Sequence, residues 1–146
     1  MTEKAADRGG PGLFGGAAAM AFTEKLVSAD RATAGSMITE ALRAVLEAGD
    51  DLDATEAESA LVTVAVLVSE EDPAVLDGAP DVDALRRQLA QLDTELTPAR
   101  RTAARGVLTR ALLPAANSWL AQRSTEADWP RTRADLERLA ELLADA

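Results

Sequence analysis

Asp53-Ala-Thr-Glu-Ala-Glu-Ser-Ala-Leu-Val-Thr-Val-Ala-Val-Leu-Val-Ser-Glu-Glu-Asp-Pro73 is the most apolar part of this chain, and it admits two readings. Its β-branched residues alone suit a buried strand. Thr55 followed by Glu58 reads instead as a capping box that opens a helix, and the length up to Glu71 with the stop at Asp72-Pro73 supports the helix. Ala57, Ala60, Leu61, Val64, Ala65, Leu67 and Val68 leave hardly any side of such a helix polar, so it is expected at the centre of the fold.

The same helical spacing extends outward in both directions. Upstream, Met37, Ile38, Leu42, Val45 and Leu46 form a stripe that ends at Gly49, where a left-handed C-terminal residue belongs. Before it, Met20, Phe22, Leu26 and Val27 mark a first helix from Ala17 to about Asp30. Residues 1–16, charged and then rich in glycine, are expected to be a loop or mobile tail, because so much glycine disfavours a helix. Downstream, Asp72 to Pro80 is a linker. Val82, Leu85, Leu89, Leu92 and Leu96 alternate spacings of three and four, as in an amphipathic helix. Thr97-Pro98 restarts the chain as an N-cap and first helical residue, with Val107, Leu108, Ala111 and Leu112 as the buried stripe up to Pro114. A short piece from Ala115 to Gln122 holds Trp119, and a last helix starts near Asp128 and carries Leu136, Leu139, Leu142 and Leu143. The expected architecture is all-α: one irregular bundle of about six helices spanning 17–146, behind a glycine-rich segment 1–16. Trp119 and Trp129, the sole indoles, are expected in the core, as is the leucine row from Leu85 to Leu96.

Composition removes whole classes of function. The 146 residues include no Cys, His or Tyr, which excludes disulfides, thiolate or imidazole metal sites and every Ser-His or Cys-His nucleophile pair. The formal charge of −10 repels phosphate backbones and anionic membrane surfaces, so neither nucleic acid nor membrane is expected as a partner. The apolar run from Leu13 to Phe22 fails as a secretion signal, since Gly15 and Gly16 interrupt it and Glu24 and Lys25 follow at once. A cytoplasmic location is the default expectation. Asp50, Asp51 and Asp53 lack the spacing, central glycine and closing Glu of a calcium loop, so no metal or cofactor site and no catalytic residue is assigned.

Charge is divided along the chain. From Ala44 to Leu85 there are 12 acidic residues and no Lys or Arg, whereas Leu96 to Thr125 holds five Arg and no acid. Arg100, Arg101 and Arg105 crowd the start of a helix, where the backbone dipole is already positive, so negative partners are expected for them. Those partners are either acids of the same fold, such as Glu70-Glu71-Asp72 or the Asp50 to Asp53 corner, or an external anion.

Three parts of the chain together resemble a bacterial family filed as domain of unknown function 4259. Gly10, Gly12 and Phe14, followed by Ala18, Ala19 and Phe22, are similar to its opening Gly-x-Gly-Pro-Phe segment and Ala-rich helix. Leu52-Asp53-Ala54 with Glu56-Ala57-Glu58 and Ala60 resembles its middle, and Asn117, Ser118 and Leu120 leading to Trp129 and Leu136 resemble its close. The resemblance implies a small helical domain without an established activity. The chain departs from that pattern in lacking the leading Trp. It also has Gly15, Gly16 and Ala17 in place of an Asp-Asn-Asp cluster, so any capping or ligand role of those acids is lost here.

These features point to a non-enzymatic binding module of inhibitor or immunity type. Its partner would be a basic protein, docked on Asp50, Asp51, Asp53, Glu56, Glu70, Glu71 and Asp72, with Arg100, Arg101 and Arg105 as candidate anion ligands. Self-association through an exposed Leu or Trp patch belongs to the same class. The alternative is a small hydrolase or ligand-binding enzyme, which requires two or more of these acids to converge in one pocket.

Overall fold

The computed structural model of the chain describes residues 12–49 and 51–144. Among them are seven helices and no strand: α1 (Ala17–Ser28), α2 (Arg31–Leu46), α3 (Ala54–Val68), α4 (Val82–Leu89), α5 (Pro98–Leu112), α6 (Ser118–Arg123) and α7 (Trp129–Ala144). Single 3-10 turns lie at Gly12–Phe14 and Pro73–Leu76. No described helix is long and apolar enough to cross a membrane.

The helix α3 is the axis of the bundle, as its composition predicts. Ala57, Glu58 and every residue from Ala60 to Val68 are buried, and α1, α2, α5, α6 and α7 all pack on it. Each of its buried Leu and Val side chains contributes about 1.5–3 kcal/mol by leaving water, which outweighs the poor helix propensity of its β-branched run. Its start differs from expectation. The capping box of Thr55 and Glu58 is not made; Asp53 Oδ1 accepts from the Glu56 N–H at 2.9 Å, which leaves Thr55 inside the first turn and turns Glu58 into the core.

The expected helix through Leu96 is also corrected, because α4 ends at Leu89. Beyond it, Asp93 accepts from the Glu95 N–H at 3.2 Å and the buried Thr94 hydroxyl donates to Glu70 at 3.1 Å. Both side chains hold a loop that a helix would have to break. Leu92 and Leu96 reach the core from that loop, so the apolar spacing is genuine while the helix is not.

Several helix ends are closed by side chains from outside the helix itself. Gln88 donates to Leu26 O and Ala29 O at the end of α1. The buried Asn117 donates to the Arg110, Ala111 and Leu113 carbonyls that end α5, while its Oδ1 accepts from Leu120 N at the start of α6. Arg101 and Arg105 donate to the Leu142 and Leu143 carbonyls at the end of α7. Each contact satisfies carbonyls or amides that a helix terminus leaves without an internal partner.

The N-terminal segment departs from a mobile tail over residues 12–16. Residues 1–11 of that expected tail lie outside the described residues. Leu13 and Phe14 are buried, and the turn that carries them packs on α7. Gly12 has φ 70°, and a Cβ there would stand 2.3 Å from Asp135 Oδ2, so only glycine fits. Helix α1 then begins at Ala17 with Gly16 as an N-cap that has no side chain to offer. Glu58 supplies the missing cap from α3, where its Oε1 accepts from the Ala19 N–H at 3.0 Å.

A Cβ at Gly16 would fall 2.3 Å from that same carboxylate oxygen. Gly16→Ala is therefore expected to push Glu58 off its cap and to destabilise the fold by about 1–2 kcal/mol, the scale of a lost N-cap. Urea unfolding of this variant beside Gly35→Ala, which meets no neighbour within 4 Å, measures the difference.

Candidate partner-binding surface

The acidic band is not one free field. Asp50 lies outside the described residues. Asp51 Oδ1 accepts from the Ser118 N–H at 2.8 Å, and hydrogen bonding from Ser118 holds its carboxyl below the ordinary carboxylate range. Asp53 caps α3. Glu70 accepts from Thr94, Glu71 pairs with Arg101 at 2.5 Å, and Asp72 pairs with Arg138 at 3.1 Å while accepting from Ala74 N. Asp77 is bonded to Arg86 at 3.0 Å.

The three predicted arginines are engaged within the molecule too. Arg100 donates to the carbonyls of Asp93 and Glu95 and lies 3.5 Å from the Asp93 carboxylate. Arg101 meets Glu71 and the carbonyls that end α7, and Arg105 meets Leu143 O among the described residues. The expected negative partner of this crowded helix start is thus chiefly the negative end of a neighbouring helix dipole.

Of the acids expected to face a partner, Glu56 has no hydrogen bond or ion pair from its carboxylate among the described residues. It sits on the rim of a groove of about 600 Å³ between α1, α2 and α3. Phe22, Ala29, Met37, Ala41 and Ala44 give this groove an apolar lining, and Glu40 lines it from α2. Lys25 also lines the groove, and Arg43 pairs with Glu40 at 3.3 Å. The groove exists because alanines on α2 let the three helices approach without filling the space above them.

Sequence reasoning missed three features. One is the groove, whose only signal is small residues recurring on α2. The second is a buried polar centre: Arg123, 5% exposed, donates to Glu126, Asp128, Thr132 Oγ1 and Gly12 O at 2.5–2.9 Å. Burial opposes the charge of Arg123, but the hydrogen bonds and attraction of Asp128 outweigh it and raise the guanidinium above its ordinary value. The same contact lowers Asp128. Beside it the Glu58 carboxylate accepts the Trp119 Nε1–H at 3.0 Å, and Trp119 meets Trp129 edge to face with ring centroids 6.4 Å apart.

The third is Asp135, half-buried on α7, whose Oδ2 accepts from the Leu13 N–H at 3.0 Å. Burial pushes its carboxyl above the ordinary range, against that hydrogen bond and the nearby Arg131. Among the described residues no three carboxylates are grouped to hold a metal ion.

The fold and its internally capped ends define a small all-helical domain. Residues 9–135 match the family described as Domain of unknown function (DUF4259), and the chain belongs to that family. No curated protein and no solved structure matches it.

Proposed function

We propose that the protein is a non-enzymatic binding module that receives a basic, amphipathic helix of a partner protein in the groove between α1, α2 and α3. The observation that carries this reading is an apolar groove that also holds two carboxylates, Glu56, which is uncommitted, and Glu40, which shares its charge with the exposed Arg43 at 3.3 Å. A helix laid in such a groove buries one apolar face and brings its basic flanks to the two acids. The net charge of −10 draws a cationic partner in and speeds encounter, which suits an inhibitor or immunity-type role. Cytoplasmic residence fits the same reading.

A carboxylate hydrolase finds less support. None of the five principal cavities gathers two of Asp51, Asp53, Glu56, Glu70 and Glu71. The pocket that does hold several acids has Asp72 and Asp77 already paired with Arg138 and Arg86.

A synthetic helix with leucine at positions i, i+3, i+4 and i+7 and lysine on its flanks tests the proposal by calorimetry. Binding is expected for this peptide and not for its glutamate counterpart. Phe22→Ser with Met37→Ser, which leaves the charge unchanged, should weaken it about a hundredfold or more, by removing roughly 1.5–3 kcal/mol of apolar contact per side chain. Glu56→Lys should weaken it further and flatten its salt dependence. Equal affinity for the acidic peptide, or indifference to the serine pair, overturns the groove as the docking site.

A further inference from the structure

We propose that the cavity between the Gly12–Phe14 turn, the Pro73–Leu76 turn and α7 binds a small zwitterion, an α-amino acid with an apolar side chain, its carboxylate on Arg131 and its ammonium on Asp135. The cavity measures about 260 Å³, enough for a ligand of about ten non-hydrogen atoms, since an apolar void of about 150 Å³ already admits benzene. Its apolar wall is made by Leu13, Phe14, Val75 and Leu139. Its polar wall is set by how the charged groups are committed.

Asp72 and Arg138 form one ion pair and Asp77 and Arg86 another, so those groups are spoken for. Arg131 and Asp135 also line the cavity, one turn apart on the same helix face. At that spacing opposite charges commonly pair, yet these two make no ion pair within 4 Å among the described residues. Asp135 uses Oδ2 to accept from Leu13 N, which leaves Oδ1 without a hydrogen bond among the described residues. The arrangement is an opened ion pair above an apolar wall. A guanidinium takes a carboxylate through two parallel N–H···O bonds, and a carboxylate oxygen takes an ammonium. A molecule carrying both groups on one carbon closes the gap, and its side chain meets Phe14 and Val75. Burial holds the carboxyl of Asp135 above its ordinary range, and an ammonium beside it restores the charged form.

Two-dimensional amide NMR of the full chain with leucine, leucinol, 4-methylpentanoate and glutamate as probes tests this. The Leu13 amide, bonded to Asp135, is the local reporter. Leucine is expected to shift it saturably. Leucinol lacks the carboxylate and 4-methylpentanoate the ammonium, so each should bind about tenfold or more weakly, the value of one lost charged hydrogen bond. Glutamate should also bind more weakly, since its second carboxylate would meet the apolar wall. Arg131→Gln, on the exposed side of α7, should weaken leucine by a similar factor with the fold intact. Asp135→Asn keeps an acceptor for Leu13 N and should do the same. No shift at millimolar leucine, or equal binding of leucinol or 4-methylpentanoate, overturns the proposal. So does leucine binding that Arg131→Gln leaves unchanged. Because these probes do not touch the α1–α3 groove, the outcome is independent of the binding-module reading.

Discussion

Arg123→Met is expected to destabilise the protein by about 3–5 kcal/mol, the usual consequence of removing one member of a buried ion pair. The methionine keeps much of the apolar stem and forfeits every contact of the guanidinium. Gly12 O and Thr132 Oγ1 lose their buried donor, and the Asp128 carboxylate loses its charged partner. Urea unfolding followed by circular dichroism gives the difference at neutral pH. A loss below about 1 kcal/mol, the worth of an exposed pair, would show that the centre contributes no more than a surface contact.

The pH dependence follows from the direction of the shift on Asp128. Its folded pKa lies below its unfolded value, so it binds fewer protons in the native state. Its contribution is fully present above about pH 4, near the unfolded carboxylate value, and is lost as pH falls through the folded pKa. Asp128→Asn removes that contribution at neutral pH. The variant should therefore fall less steeply with acid than the parent does.

The second large effect is expected at Glu58. Its two oxygens serve two donors, the Ala19 N–H that opens α1 and the Trp119 indole. Glu58→Ala removes an N-cap worth about 1 kcal/mol and strands a buried indole N–H at a cost of about 1–3 kcal/mol, for a total of about 2–4 kcal/mol. Glu58→Gln retains one acceptor oxygen and presents an amide N–H₂ to the other donor, so about half of that loss is expected. The near-ultraviolet circular dichroism of the paired tryptophans should weaken in both variants, more in the alanine. An alanine variant as stable as the parent would remove Glu58 from the account of how α1 begins.

Much of the fold was legible because its signals are local. The stripes of α2, α5 and α7, the Thr97-Pro98 start and the apolar run of α3 each sit within one element, and each predicts the helix that forms. The errors share a cause. Thr55 and Glu58 have the spacing of a capping box, but Asp53 caps the helix from two residues earlier, and Glu58 is claimed by a helix 39 residues away in sequence. Leu92 and Leu96 fit a helical repeat, yet Thr94 bonds to Glu70 across the bundle and holds a loop.

The candidate surface was legible only in part for the same reason. A run of acids states composition, and only the folded chain states which of them are spent on caps and arginines. Glu71 and Asp72 are spent and Glu56 is not. Gly16 offers α1 no side-chain cap, and Glu58 supplies one from the middle of the chain.

The turn at Gly12–Phe14 is latched by residues that lie far downstream: Arg123 holds Gly12 O and Asp135 holds Leu13 N. During synthesis, α1 and α3 can cover this turn first, but its two latches close only after α6 and then α7 have left the ribosome. Deleting α7 should therefore loosen this turn at the other end of the chain first and raise the exposure of Phe14 to chaperones and proteases.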